Sequence, residues 1–373
     1  MVKQLRNYIP LAGPATRCPC DGTETSFRAS VGFTPRWFHD RLGIDFSEKW
    51  HQDPEYRYET LMEMRALLHQ KFPQVEHFRP RVADGVDLQC ATLDGVYSAM
   101  LISMIYGLKV HYFVDNWPST SPADCYSKEY LSQLKPICLD ENPAFCQLER
   151  QMDTIEKRWG RISGYLNYQG VLNNAFRLRG QEIFFDMCDD PDFVHFLMNH
   201  ITETMIAVAK RVQERQRRSG FPIDLITNSN CVINMISADM YEEFVLPYDQ
   251  RIAEEFSAFG IHTCNWNATP YIDKLAMLPK MGYIDMGMDT DMEKMRRVFP
   301  DARRGVLYSS VKCEEQPLEE IARDFRRIAK HLGPCDIILA DLETTITDER
   351  VTELLQLADK ISEEFDSGLL QAD

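Results

Sequence analysis

His262 and Cys264 are the residues whose types and spacing first suggest chemistry in this chain. They stand two apart in Phe259-Gly-Ile-His-Thr-Cys-Asn-Trp266, where Ile261 to Cys264 reads as the end of a buried strand after a helical run over 239–257. Side chains two apart on a strand leave from the same face. A neutral imidazole and a thiolate together suit zinc, and two converging donors make half of a tetrahedral site. The alternative is a packed thiol beside a hydrogen-bonded imidazole, and this stretch alone does not separate the two. Cys18-Pro-Cys20 is the other close pair of cysteines and a weaker metal pattern, since proline lies between the two thiols.

The elements that would position this pair follow from hydrophobic period and caps. Residues 1–40 show no period and read as irregular. Asp53-Pro54 opens a helix to about Phe72, with Asp as cap and Pro at the first helical position. Lys109 to Val114 is a strand candidate, followed by a loop rich in Ser and Pro and by helical pattern over about 126–158. Strands are expected at 161–167, 221–228, 283–287, 304–309 and 335–341. Helices are expected from Asp190-Pro191, from Ser237, over 318–332 and from Thr347. Short continuous apolar strands alternating with amphipathic helices from about 85 to 362 predict an α/β fold with a parallel sheet. Their number fits a TIM-type (β/α)8 barrel with an N-terminal irregular and helical extension. The expected division is an extension over 1–80 and a catalytic barrel over 81–373. No Gly-x-Gly-x-x-Gly follows any strand, which removes the usual dinucleotide reading.

Composition bounds the function. The chain has 373 residues, 44% hydrophobic, 26% charged and 11% aromatic, enough for a sizeable core. A net charge of −16, from 41 basic and 57 acidic residues, argues against nucleic acid or an anionic membrane as partner. No apolar run reaches membrane-spanning length and no signal peptide opens the sequence, so a cytoplasmic protein is expected. Eleven cysteines at scattered spacings fit reduced thiols better than a disulfide framework. In a barrel, chemistry gathers at the C-terminal ends of strands. Asn116, Asn167, Asn228, His262, Cys264 and Glu343 all fall at or just past such ends.

These residues bring a family into view. Pro35-Arg-Trp-Phe38, Asn116-Trp-Pro118, the Gly164–Gly180 segment with Asp189-Asp-Pro191, and above all Ile236-Ser-Ala-Asp-Met-Tyr-Glu-Glu-Phe-Val-Leu-Pro-Tyr248 resemble the uroporphyrinogen decarboxylase superfamily. The resemblance runs from about residue 33 over most of the chain and implies a TIM-type barrel. Decarboxylases of that superfamily carry an arginine-rich segment near the N-terminus. Here His39-Asp-Arg41 follows Trp37 and Phe38 instead, so decarboxylation of a tetrapyrrole is not expected. His262-Thr-Cys264 and Asn267-Ala-Thr-Pro270 are similar to the corrinoid-dependent methyltransferase branch, including methylcobamide:coenzyme M methyltransferases and the methyltransferases of O-demethylation.

That resemblance implies a zinc site and a corrinoid. His262 and Cys264 match two ligand positions, and Asp289, seven after Gly282, matches an acidic one. The third ligand of those enzymes is a Cys after the last barrel strand, and Glu343 stands at that position here. Cys335 is a rival, but it precedes the strand. A carboxylate in place of a thiolate makes zinc a harder Lewis acid, suited to an oxygen-bearing substrate. The implied activity is transfer of a methyl group from a small methylated substrate, a methyl ether such as an aryl O-methyl group, to the cob(I)amide of a corrinoid-binding protein. Two alternatives stand beside it: transfer from methylcobamide to a thiol or folate, and a non-catalytic corrinoid- or metal-binding scaffold. Asn228, Tyr168 and Asn167 are the candidates for catalysis, and Asn116, Trp117 and Trp266 for binding substrate or cofactor.

Overall fold

The computed structural model describes residues 25–83 and 85–370. The pair Cys18 and Cys20 lies outside them. Among the described residues, nine strands follow in chain order: β1 Phe27–Phe33, β2 Val110–His111, β3 Ser119–Thr120, β4 Tyr168–Gln169, β5 Leu225–Ser229, β6 Ala258–His262, β7 Met281–Gly287, β8 Arg303–Leu307 and β9 Cys335–Leu342. Seven of them form one sheet in the order β1-β9-β8-β7-β6-β5-β4, with every neighbouring pair parallel. Beyond β4 the chain at Ser163 makes a parallel bridge to Thr92. Leu93 N donates to Ser163 O at 2.9 Å and Ser163 N to Ala91 O at 3.1 Å, so residues 91–93 continue the sheet by one more position. Helices flank this sheet, and the fold is the α/β barrel type that alternation predicted.

The helices form where the caps and periods placed them. Asp53 caps Pro54–Lys71 through the backbone N–H groups of Glu55 and Tyr56. Asp190 caps Pro191–Arg218, whose buried side includes Phe193, Leu197, Ile201, Met205, Val208 and Val212. Leu318–Leu332 buries Ile321, Phe325, Ile328 and Leu332 at helical spacing, and Thr347 caps Asp348–Asp366. The run expected over 239–257 is two helices, Ala238–Phe244 and Leu246–Glu254, because Pro247 cannot donate to the preceding turn. Among the described residues, no helix is long and apolar enough to cross a membrane.

Three expectations are corrected. The segment read as irregular contains β1, which pairs with β9 from Phe27↔Cys335 onward, and the helix Pro35–Leu42. The sheet therefore starts well inside the stretch expected as an extension. Its apolar run is interrupted by Arg28, which is tolerated in a buried strand because its guanidinium meets Asp336 of β9 at 3.0 Å. The strand expected at 109–114 shrinks to β2, paired only with β3 in an antiparallel hairpin. Finally, β6 ends at His262; Cys264 stands beyond it in a left-handed conformation, φ 62°.

Candidate metal centre

The centre is built where β5 and β6 end side by side. Ser229 is in register with His262, and one step further Asn230 N donates to the His262 carbonyl at 2.8 Å. That last rung carries Cys231 to the neighbourhood of His262. A short helical turn, Cys231–Met235, follows and is pinned twice. Asn173 Oδ1 accepts from Val232 N at 3.0 Å, and the Tyr271 hydroxyl donates to the Ile233 carbonyl at 2.9 Å. The loop after β6 is held from the other side. Gly287 N donates to Trp266 O at 3.1 Å, and a Cβ at Gly287 would come within 2.1 Å of Asn265 O, so only glycine lets this loop lie against β7.

The side chains that result form one cluster. Cys264 Sγ lies 3.2 Å from His262 Nε2 and 2.9 Å from Cys231 Sγ. Among the described residues, Cys231, His262 and Cys264 are the group of three such side chains whose ligand atoms all lie within 4.8 Å of one another. The far side of the imidazole is fixed: Nδ1 is 2.7 Å from Asp285 Oδ2, and Asp285 is fully buried on β7. Asp285 also accepts from Thr263 N at 2.9 Å and from the Tyr283 hydroxyl at 2.7 Å. Burial works against charge on His262, but the Asp285 carboxylate and then Cys231 outweigh it and raise its pKa. The hydrogen bond from Cys264, against the penalty of burial and with help from His262, pulls the Cys231 thiol down toward thiolate.

This donor set fits zinc. Two thiolates and one imidazole are a known catalytic combination that leaves a fourth position open. Tetrahedral zinc with ordinary bond lengths would hold two sulfurs roughly 3.8 Å apart, so the thiols need to separate by only about 1 Å. A carboxylate on the outer nitrogen of a ligating histidine is the usual support for its tautomer and orientation.

The remaining expected residues distribute differently. Glu343 and Asp289 fall outside the three-donor group. Glu343 follows the end of β9, where its Oε2 accepts from Thr34 Oγ1 at 3.2 Å. The Asp341 carboxyl is pushed up, first by the protein crowding it and then by the Glu343 charge, with His262 pulling the other way. Glu343, Asp341 and His262 thus share one electrostatic neighbourhood. Asp289 is exposed beyond β7. Cys335 is the first residue of β9, at the opposite end of the sheet from His262, and burial pushes its thiol up.

Asn228 is fully buried, and its Nδ2 donates to Asp249 Oδ1 at 2.8 Å. Asp249 belongs to the helix Leu246–Glu254, so Asn228 faces the helix layer, whereas Ser229 next to it faces His262's side of the strand pair. Tyr168 is in register with Asn228 and buried on that same face. Asn167 Oδ1 accepts from Ser229 Oγ at 3.2 Å, which keeps it near the strand ends. Asn116 is exposed and its Oδ1 accepts from Trp117 N at 2.7 Å, while Trp117 packs partly against the core. Trp266 stacks edge-on against Tyr271, centroids 5.4 Å apart.

Cys231 is the member that sequence reasoning missed. The signal was available: it stands two residues past a strand end, as Cys264 stands two past His262, and adjacent strands of a barrel bring such positions together. It also floors a cavity of about 450 Å³ whose wall includes Gln169, Asn173, Phe176 and Arg177. Burial lowers the pKa of Arg177, with Cys231 opposing that shift.

Comparison with known proteins agrees with this architecture. Residues 178–307 match the family model for uroporphyrinogen decarboxylase (URO-D), a stretch that holds β5, β6, β7 and all three clustered donors. The structure is similar to that of a methyltransferase from Methanosarcina mazei, with 15% sequence identity, TM-score 0.62, and coverage of 91% of this chain and 95% of that one. No curated protein matches the chain. The partial match to the family model and the shared fold agree with the resemblance to the uroporphyrinogen decarboxylase superfamily.

Proposed function

We propose that this chain is a zinc-dependent methyltransferase that moves a methyl group from a small methylated substrate, a methyl ether first among them, to the cob(I)amide of a corrinoid-binding protein. The observation that carries the reading is the convergence of Cys231, His262 and Cys264 at the C-terminal ends of β5 and β6. That is the end at which barrels of this type place their chemistry. Cys231, His262 and Cys264 would hold the metal, and zinc there would supply Lewis-acid polarisation of the heteroatom at the methyl group.

The protein's own groups do the rest. Asp285 orients His262 so that Nε2 faces the two thiols. Thr34 holds Glu343 in place just past the end of β9. Asn167, Trp266, Asn116 and Trp117 remain the candidates for shaping the mouth, where a corrinoid-carrying partner must approach. Asp289, expected as an acidic ligand, is exposed and outside the three-donor group, so it is not assigned to the metal in this reading.

A second reading gains from Cys231. A site with two thiolates is softer than the His-Cys-Glu set read from sequence, and softness favours a thiol bound as thiolate. Methyl transfer from methylcobamide to a thiol uses such a site in the reverse sense.

Elemental analysis of chelator-free wild type, Cys231→Ala, His262→Ala and Glu343→Gln tests the centre. About one zinc per chain is expected in wild type, lost in Cys231→Ala and His262→Ala and kept in Glu343→Gln. Methyl transfer to cob(I)alamin from methylated phenols, or from methylcobalamin to thiols, then separates the two directions. Wild type without zinc would sink both, and loss of zinc in Glu343→Gln would restore the carboxylate as third ligand.

A further inference from the structure

Asn230, the residue between β5 and Cys231, is held from three sides. Its side-chain Nδ2 donates to Asp249 Oδ2 at 2.7 Å, and its backbone N–H donates to the His262 carbonyl at 2.8 Å. Asn230 and Asp249 are both fully buried. Gly170 presses on the amide from the third side: a Cβ there would come within 1.6 Å of Asn230 Oδ1. Gly170 N also donates to the Ser229 carbonyl at 2.9 Å, so the chain after β4 is tied to the peptide that enters Asn230.

Asn228 makes the equivalent bond to the other oxygen of the same carboxylate, Nδ2 to Asp249 Oδ1 at 2.8 Å. The two amides differ in what lies next to them. Asn228 is inside β5, where the register with Tyr168 and Ile261 fixes its backbone whatever its side chain does. Asn230 stands past the last residue of β5, where the ladder ends, and Cys231 follows it directly. There a side chain anchored in the helix layer takes over the work of the ladder. A ligand thiol needs such support, because a metal centre tolerates little displacement of its donors.

We propose that Asn230 is a positioning residue for Cys231: its anchored amide sets where the chain leaves β5, and so where the thiol meets Cys264 and His262. That this position serves zinc rests on the reading of Cys231 as a ligand. The hold on the thiol stands on the bonds to Asp249 and His262 and on the contact with Gly170.

Asn228→Ala and Asn230→Ala remove equivalent bonds from one buried carboxylate, so the pair separates lost support of the helix layer from lost position at Cys231. Two quantities are read on both variants and on wild type. One is zinc affinity, by competition with a chelator. The other is the rate at which iodoacetamide alkylates Cys231 in chelator-treated protein, followed by peptide mass spectrometry. Asn230→Ala is expected to weaken zinc binding about 10–100-fold and to shift the Cys231 rate several-fold, while Asn228→Ala leaves both at wild-type values. Equal effects of the two substitutions, or wild-type values in Asn230→Ala, would overturn the inference. If Asn230→Ala does not fold, Asn230→Ser, whose hydroxyl is too short to span to Asp249, takes its place with the same expectations. Wild type without zinc would remove the metal reading and leave the alkylation rates to decide, an unchanged Cys231 rate then overturning the inference.

Discussion

Asp285 Oδ2 sits 2.7 Å from His262 Nδ1 and receives the Tyr283 hydroxyl on the same oxygen at 2.7 Å. The other oxygen takes Thr263 N at 2.9 Å, so the carboxylate cannot rotate away from the imidazole. Nδ1 therefore carries a proton, and Nε2 is the nitrogen presented to Cys264. Asp285→Asn keeps the shape but places an amide N–H against the imidazole or the tyrosine. Zinc affinity is expected to fall about 10–100-fold with the fold retained. Competition against a chelator of known affinity, beside a thermal melt, measures both, and an unchanged affinity would show that Asp285 does not support the ligand.

Asn228 makes a different kind of prediction. Burial pushes the Asp249 carboxyl up to about 6, while bonds from Asn228, Asn230 and Tyr241 pull the other way. The two amides stand at 2.8 and 2.7 Å and the phenol at 3.1 Å. Asn228→Ala removes one of these donors from a fully buried acid. A loss of about 1–3 kcal/mol is expected in urea unfolding, with zinc content and methyl transfer intact. Lost activity at unchanged stability would return Asn228 to the reaction.

The acid limb of stability should carry a mark of His51. Its Nδ1 accepts from Tyr97 N at 3.0 Å, and the ring is almost wholly buried. Burial first, and then the charge of Arg57, lower its pKa to about 3, with a bond to the Gly95 backbone opposing. A depressed histidine is neutral when folded. Below about pH 6.5 the unfolded chain takes a proton that the folded one refuses, so stability present at neutral pH is lost as pH falls toward 3. Between pH 7 and 5 this amounts to about 2 kcal/mol. Urea unfolding of wild type and His51→Gln at both pH values tests it: the variant should lose less over that interval, and equal losses would refute the assignment.

The sequence was most legible where local chemistry and global fold agree. Asp53-Pro54, Asp190-Pro191 and Thr347 mark helix starts by capping alone, and the helix Leu318–Leu332 shows its buried face in its period. His262 was legible because a strand end and a second donor stood within three residues. What failed was whatever depends on distant partners. Arg28 disguised β1 because its counter-ion is Asp336, far along the chain. Val110–His111 looked like a barrel strand because a short apolar run does not say which sheet it joins. Cys231 was invisible until β5 was laid beside β6, and Asn228 looked available until strand alternation turned it toward Asp249.

The pairing of β1 with β9 also dictates when the protein can become whole. Arg28 and Asp336 are 308 residues apart in sequence, and the sheet gains its β1 edge only after β9 exists. On a ribosome, Arg28 of β1 leaves the exit tunnel 308 residues ahead of Asp336, its partner on β9. Such long-range closure is slow, and an unpaired strand is exposed to other chains in the meantime. Loss of residues 27–33 would leave β9 with an open edge, converting a slow folder into an aggregating one.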